Sequence, residues 1–235
     1  MIIKYILITI SIISMALSSE IVKIPEASGI DYCKDSNTLV VANDEGWFYQ
    51  ITTSGKIINK QKIKKYDLEG VVCNKKNFMF AVENKGILKV NRKTYKRKLI
   101  KIDTTYKGKD MKLFDKDSGI EGIAKNDDYY YLAKQSKKKK KSFIVIIKID
   151  KNRADIIDII KHKIPDTAGL TYYKNHLYMV SDKKNKIIKY DIKKRKIVKE
   201  VKLKDMAQEG IAFDKEGLLY IADDNGKVIK IKSVF

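Results

Sequence analysis

The stretch AQEGIAFDKEGLLYIADDNGKVIKI, residues 207–231, decides the fold. It contains three apolar runs, one around Gly210, one in residues 219–224 and one in residues 228–231. Turn-forming residues separate these runs. Asp224-Asn225-Gly226 is typical of a β-hairpin, because the tight turn needs residues that tolerate a positive φ. The stretch therefore predicts three consecutive antiparallel strands.

The same pattern occurs five times along the chain. Its first part is a glycine motif, and the five motifs are SGIDY, EGVV, EGIA, AGLT and EGIA at Gly29, Gly70, Gly122, Gly169 and Gly210. A second apolar signature begins eight to ten residues after each glycine: LVVAND, FMFAVE, YYLAKQ, LYMVSD and LYIADD. The glycine spacings of 41, 52, 47 and 41 residues fit a propeller blade of four short strands. We therefore predict an all-β fold, a five-bladed β-propeller with four-stranded blades.

The last repeat has room for only three strands before Phe235. The segment EIVKI, residues 20–24, alternates in the manner of a strand, so we expect it to complete the last blade and close the ring. The widest glycine spacing contains the polar residues 103–117, which we interpret as a loop or an insertion in a blade. A single propeller domain is predicted for residues 20–235.

The N-terminus has the pattern of a secretory signal peptide over residues 1–18. A short positive segment precedes the apolar run YILITISIISMA, residues 5–16, and small residues follow at Ala16 and Ser18. A helix of about twelve residues is too short to span a bilayer, although an uncleaved N-terminal anchor is the alternative interpretation. We expect the protein to be exported, and to be periplasmic or associated with the cell membrane.

The chain has a formal net charge of +21, with 50 Lys and Arg against 29 Asp and Glu. Arg occurs at only four positions, whereas nucleic-acid recognition relies on the planar fork of Arg, so we expect no nucleic-acid partner. The charge indicates either attraction to an anionic surface or a solvated basic surface. The five lysines Lys137–Lys141 predict an exposed hairpin loop, with docking to an anionic membrane as the alternative. We expect a monomer.

Two Cys exclude a disulfide-rich scaffold and a Cys₄ zinc site. Cys33 and Cys73 lie near equivalent points of the first two repeats but with opposite strand parity, which argues against a bridge between them. His162 and His176 are predicted to be surface residues. Trp47 is predicted to pack between blades, with stacking on a ligand as the alternative.

Acidic residues concentrate at two positions of the repeat, directly before the glycine and at the end of the second signature. In a propeller blade these two positions meet at one face of the ring. Seven of the ten residues concerned are acidic: Glu69, Glu121, Glu209, Asp44, Glu83, Asp182 and Asp224. The two repeats without Glu before the glycine carry Glu26 and Asp166 two residues earlier, where the second repeat has Asp67. Such a group could be paired structurally, bind a divalent cation, or include a general acid of raised pKa.

The repeats resemble those of the SdiA-regulated, YjiK-like family of bacterial β-propellers. The similarity lies in EASGIDY…LVVANDEG, DLEGVV…FAVEN, GIEGIA…YLAKQ, DTAGLTYYKNHLYMVSDK and AQEGIAFDKEGLLYIADDNG. It implies an exported or membrane-associated propeller, with some relatives linked to calcium homeostasis and others likened to phytases. The matching site positions are Glu69, Glu83, Glu121, Lys134, Asp182 and Glu209. Gln135 departs from the pattern, because an acid usually follows this Lys.

From the sequence we predict an exported binding protein whose acidic channel mouth holds a divalent cation, Ca²⁺, or a cationic ligand. The predicted ligand-binding residues are Asp44, Glu69, Glu83, Glu121, Lys134, Asp182, Glu209 and Asp224. The predicted metal ligands among them are Glu69, Glu121, Glu209, Glu83 and Asp182. One alternative is a calcium-dependent, phytase-like phosphoester hydrolase in which Lys134 helps to hold phosphate. The other is an interaction scaffold that docks through Lys137–Lys141. The partner is predicted to be a small ligand or an envelope protein.

Overall fold

The computed structural model describes residues 18–115, 119–138, 141–204, 206–232 and 235. These residues form 22 strands and one 3-10 helix, so the prediction of an all-β fold is confirmed. The predicted signal peptide lies outside them except for Ser18. Within the described ranges, no helix is long and apolar enough to cross a bilayer.

Twenty of these strands form antiparallel arrays of four, each built around one glycine motif. The first array contains β2 to β5, at Ala27–Cys33, Thr38–Asn43, Trp47–Thr52 and Ile57–Lys62. The second contains β6 to β9, at Leu68–Cys73, Asn77–Val82, Gly86–Asn91 and Arg97–Asp103. The third contains β12 to β15, at Ile120–Asn126, Tyr129–Lys134, Phe143–Asp150 and Arg153–Ile160.

The fourth array contains β16 to β19, at Thr167–Tyr173, His176–Ser181, Lys186–Asp191 and Lys196–Lys202, with the 3-10 helix at Asp182–Lys184. The fifth contains β20 to β22, at Gln208–Phe213, Leu219–Asp223 and Lys227–Ile231, and is completed by β1 at Ser18–Lys23. β1 pairs antiparallel with β22, from Ser18 opposite Ile231 to Lys23 opposite Lys227. The prediction that an N-terminal strand completes the last repeat is therefore confirmed.

The arrays stand in a ring, because their first strands contact one another in a closed cycle from β2 through β6, β12, β16 and β20 back to β2. A separate hydrophobic cluster fills each interface between neighbouring arrays. The interface between the fifth and first arrays, for example, contains Leu39, Val41 and Tyr220. Val40 and Ala42 of the same strand β3 pack toward the second array. Burial on both faces explains why the second signatures are continuously apolar. The fold is β-propeller-like.

The second and third arrays are also joined at their outer edges. β9 and β15 pair in parallel, with Arg153 opposite Lys101, which produces one eight-stranded sheet. Of the polar residues 103–117, predicted as a loop or insertion, the described part contains the small hairpin of β10 (Thr105–Tyr106) and β11 (Lys109–Asp110). Leu113 then enters the core fully buried. The segment is therefore an insertion that connects these two arrays.

The glycine motifs mark the closest approach between neighbouring first strands. A Cβ atom on Gly29 would lie 2.5 Å from the carbonyl oxygen of Glu69, and one on Gly122 would lie 2.1 Å from that of Ala168. The same relation continues around the ring to Gly210, whose added Cβ would lie 2.9 Å from the carbonyl oxygen of Ser28. The first strands thus contact one another, backbone to backbone, where no side chain fits. We call this set of five motif glycines the glycine ring.

Cys33 and Cys73 form a disulfide, so the prediction that they are unbridged is wrong. Opposite parity separates side chains on strands of one sheet, and this was the basis of the prediction. β2 and β6, however, belong to arrays that stack face to face. Equivalent strands of stacked arrays need opposite parity for their side chains to enter the shared interface. Cys33 and Cys73 both lie in that interface, in the cluster between the first and second arrays.

We expect Gly122→Ala to lower the free energy of unfolding by more than about 2 kcal/mol, because the Ala168 carbonyl belongs to a paired strand and cannot move away. Gly108→Ala is the matched control: nothing lies within 4 Å of its added Cβ, and its φ is +73°. Gly108→Ala should lower the free energy of unfolding only by the backbone strain at this positive φ, about 1 kcal/mol. Urea unfolding measures both values, and equal losses would contradict the close approach.

We expect the Cys33→Ala/Cys73→Ala variant to lose about 3 kcal/mol of stability, because the bridge closes a loop between residues 40 apart in sequence. Urea unfolding with and without a phosphine reductant measures the effect. The reductant should shift the unfolding midpoint of the wild-type protein and leave that of the variant unchanged. A wild-type midpoint that ignores the reductant would show that the bridge contributes nothing.

Candidate functional site

A β-bulge occurs at the same point of every first strand. The pairing with the second strand shifts register beside the motif glycine, in the intervals Ala27/Gly29, Leu68/Gly70, Ile120/Gly122, Thr167/Leu170 and Gln208/Gly210. A bulge removes one residue from the regular ladder and re-aims its side chain. The residues affected include Glu69, Glu121 and Glu209. The bulges thus direct these three carboxylates toward the channel instead of into the packed interfaces.

The ends of the second strands lie directly beside the starts of the first strands. The backbone N–H of Glu83 donates to the carbonyl of Asp67 at 3.2 Å, and that of Asp224 donates to the carbonyl of Ala207 at 2.9 Å. The two predicted sets of acids therefore converge at one end of the ring. We call this end the acidic mouth and define it by Asp44, Asp67, Glu69, Glu83, Glu121, Asp182, Glu209 and Asp224.

Glu69 and Glu121 form the buried centre of the acidic mouth, with exposed fractions of 8% and 9%. Burial, followed by the charge of Glu121, raises the pKa of Glu69 well above its usual range. Burial likewise raises the pKa of Glu121 to about 7, although a hydrogen bond with Glu69 opposes the rise. Ionisation of either carboxyl group therefore opposes ionisation of the other.

The surrounding carboxyls shift in the same direction for the same reason. Burial, reinforced by Asp224 and Glu121, raises the pKa of Glu209 to about 9. Burial also raises the pKa of Asp44 to about 6, against a hydrogen bond from Ser28. Desolvation disfavours the charged form of each of these carboxyl groups. A cation bound among them would favour the charged form, and the carboxyl groups would then release their protons.

Asp44, Asp67 and Glu69 have the geometry of a cation site. Each offers one carboxylate oxygen, and the three oxygens all lie within 4.8 Å of one another. Ca²⁺–oxygen distances are about 2.4 Å, so two oxygens on one ion can be at most about 4.8 Å apart. Oδ1 of Asp44 is buried and has no hydrogen-bond partner among the described residues. An all-oxygen donor set of this kind suits a hard cation.

Of the five predicted metal ligands, only Glu69 belongs to this three-residue group. Asp44 was predicted as a ligand-binding residue, and Asp67 was missing from the predicted site. The sequence signal for Asp67 was its position two residues before Glu69, equivalent to Glu26 and Asp166. Glu83, Glu121, Asp182 and Glu209 lie around the group in the acidic mouth, and their role as ligands stays a prediction.

Lys134 is buried beneath the third array's side of the acidic mouth. Its Nζ atom donates to the carbonyl of Leu113 at 3.2 Å and forms an ion pair with Asp115 at 3.3 Å. Its charge also lowers the pKa of Glu83, opposing the stronger effects of burial and Asp67. The ammonium group of Lys134 therefore places a positive charge near the carboxylates of the predicted site. Sequence reasoning missed Asp115 because it stands in the insertion, which has no repeat pattern.

The remaining candidates have different outcomes. His162 is buried, accepts the Ile164 N–H at 3.0 Å through Nδ1, and has a pKa lowered by burial to about 4, so its predicted surface position is wrong. His176 is partly exposed beside its hairpin, as predicted.

Trp47 packs partly into an inter-array cluster, with Nζ of Lys60 4.3 Å from its ring centroid. Within Lys137–Lys141, the described lysines are exposed, and residues 139–140 lie outside the described ranges.

The sequence profile of the SdiA-regulated family matches residues 14–226. The chain therefore belongs to the SdiA-regulated family, a β-propeller-type family. No curated protein matches the sequence. Among solved structures, a glutaminyl cyclase from Myxococcus xanthus is similar with a TM-score of 0.69 and 9% identity, over 93% of this chain and 94% of that chain. A streptogramin B lyase has a TM-score of 0.54 and 12% identity, over 91% of this chain and 96% of that chain. At these identities the similarity shows the fold alone.

We expect the melting temperature of chelator-treated protein to fall by about 5 °C from pH 7 to pH 9. Burial raises the pKa of Glu209 to about 9, so over this range the native state retains a proton on Glu209 that the unfolded state has lost, and rising pH favours unfolding. Differential scanning calorimetry of wild-type and Glu69→Gln/Glu209→Gln protein measures the effect. The variant should show a flatter profile, and parallel profiles would contradict the raised pKa values.

Proposed function

We propose that this protein is an exported five-bladed β-propeller that binds a divalent cation, Ca²⁺ in the first place, at the acidic mouth. Five antiparallel arrays, five inter-array clusters and a closed cycle of first strands support the blade count. The disulfide and the signal-peptide pattern support export, because disulfides persist in oxidising compartments.

The observation that carries the proposal is the group of Asp44, Asp67 and Glu69. Its oxygens come from two neighbouring arrays and lie within 4.8 Å of one another. Asp44 directly follows the second strand of the first array, whereas Asp67 and Glu69 stand at the start of the second array. A cation there would bridge two arrays, and water and adjacent carboxylates would complete the six to eight oxygen ligands that Ca²⁺ takes.

Binding is favoured over phosphoester hydrolysis by the surroundings of Lys134. A phytase-like mechanism needs cations that hold the phosphate beside the metal. Lys134 is almost fully buried and already bonded to Leu113 and Asp115, so its ammonium group is directed into the fold. Gln135, the residue after Lys134, adds no carboxylate with which to hold a metal ion. The acidic mouth therefore supplies oxygen donors with little to hold a phosphate.

Calorimetric titration of Ca²⁺ into chelator-treated protein tests the proposal. We expect saturable binding in the micromolar to millimolar range, weakened at least tenfold in Asp44→Asn/Glu69→Gln. The matched control is Asp128→Asn/Asp150→Asn, which removes the same charge from two exposed acids beside hairpin turns at the end opposite the acidic mouth and should bind normally.

Two outcomes of this titration would count against the proposal, and a separate turnover assay tests the hydrolase alternative. The absence of binding to wild-type protein contradicts it, and equal weakening in both variants assigns the effect to net charge. Turnover of p-nitrophenyl phosphate by the Ca²⁺-loaded protein, lost in Asp44→Asn/Glu69→Gln, would instead support the hydrolase alternative.

A further inference from the structure

The end of the channel opposite the acidic mouth opens into a cavity of about 980 Å³. The ends of the first strands and the turns that follow them line it, with all five arrays contributing. This volume lies at the upper end of the range of small-molecule pockets, about 300–1,000 Å³. Four acids of the acidic mouth, Asp67, Glu69, Glu121 and Glu209, precede their motif glycines, whereas the first-strand residues around this cavity follow theirs.

Each array contributes one exposed lysine to the wall of this cavity: Lys34, Lys75, Lys125, Lys174 and Lys215. Four of the five stand at the same place in the repeat, five residues after the motif glycine, and Lys125 stands three residues after it. Only about one residue in five of the chain is Lys or Arg. A lysine at the same repeat position in four of the five arrays is therefore more than the basic composition alone explains. We call the cavity with these five residues the lysine funnel.

Five lysines and four acids line this cavity, and the acids are Asp31, Asp35, Asp127 and Asp214. Among the five lysines, only Lys215 forms an ion pair with a residue in the described ranges, Glu216, at 3.6 Å. Among the acids, Asp35 is neutralised by an ion pair with Arg92 at 2.8 Å, whereas Asp214 accepts the hydroxyl of Tyr220 at 2.9 Å, which does not neutralise a carboxylate. The buried Asp31 accepts the Cys73 N–H at 2.7 Å, and Asp127 is an exposed acid on the rim. The lysines still outnumber the acids of the lining, and a convergent excess of positive charge raises the local concentration of anions.

The wall of the lysine funnel is preorganised. Tyr173 stacks on Phe213 with ring centroids 4.6 Å apart, which joins the fourth and fifth arrays. The disulfide between Cys33 and Cys73 joins the first and second arrays at the same level. Lysines presented from a rigid frame lose less entropy when they converge on one ligand.

We propose that the lysine funnel binds a small polyanion, a molecule with several phosphate-like groups, at the end of the channel opposite the acidic mouth. Five ammonium groups around one concavity can contact several anionic groups at once. The arrangement of these lysines around a concave cavity of about 980 Å³ favours a small ligand over a flat anionic surface. The proposal is independent of cation binding at the acidic mouth.

The test uses tripolyphosphate as probe, titrated calorimetrically into the full chain in buffer without divalent cations. Lys34→Gln/Lys75→Gln/Lys174→Gln/Lys215→Gln should raise the Kd at least tenfold. The matched control, Lys56→Gln/Lys98→Gln/Lys148→Gln/Lys196→Gln, removes the same charge from exposed lysines of outer strands and turns and should change the Kd less than threefold. Equal effects of the two variants, or no binding to the wild type, would overturn the proposal.

Lysine footprinting of the wild-type protein gives a second readout that needs no variant. Limited acetylation followed by mass spectrometry should show that tripolyphosphate slows labelling of the five funnel lysines at least threefold, with the control lysines unchanged. Uniform protection or none overturns the proposal. Binding of phosphatidylglycerol vesicles without binding of tripolyphosphate would also overturn it, because the site would then read a membrane and not a small ligand.

Discussion

The backbone contact at the glycine ring is the constraint on which the rest of the structure depends. Each motif glycine lies against the carbonyl group of the next array, and the cycle returns to its start at Ser28. Side chains can fill the outer interfaces between arrays with large apolar residues only because the inner strands approach so closely. The bulge beside each glycine follows from the same geometry, and it directs the preceding side chain along the channel.

The glycine ring also divides the chemistry of the channel. Carboxylates collect on the side that precedes the glycines, whereas lysines outnumber acids in the cavity on the side that follows them. The separation does not follow from composition, since it depends on the position of each residue within the repeat. In a ring of repeated arrays, the residues at one repeat position lie together around the ring axis. One residue type at that position in several arrays therefore forms a cluster that can act as a site.

The fold could be predicted from the sequence because its determinants are local and repeated: glycine spacing, turn residues and strands apolar on both faces. The acidic mouth was predicted in the same way, from two positions of the repeat. The disulfide, Asp67 and His162 were not, since each depends on how different arrays face one another. Cys33 and Cys73 meet across stacked sheets, and His162 lies buried between elements that the repeat does not define. The regular spacing of these lysines was visible in the sequence, but only the structure shows that they surround one cavity.

The close approach at the glycine ring also determines how the acids ionise. The space at the ring, bounded by the glycines together with Glu69 and Glu209, has no room for a water-sized sphere. Water therefore reaches these carboxylates from the open side only, and desolvation is the largest cause of every pKa shift in the acidic mouth. The lysines on the far side cannot compensate, because the packed ring holds them away from the acids. The same contact that joins the arrays thus leaves the acidic mouth deficient in positive charge, and a bound cation would relieve that deficiency.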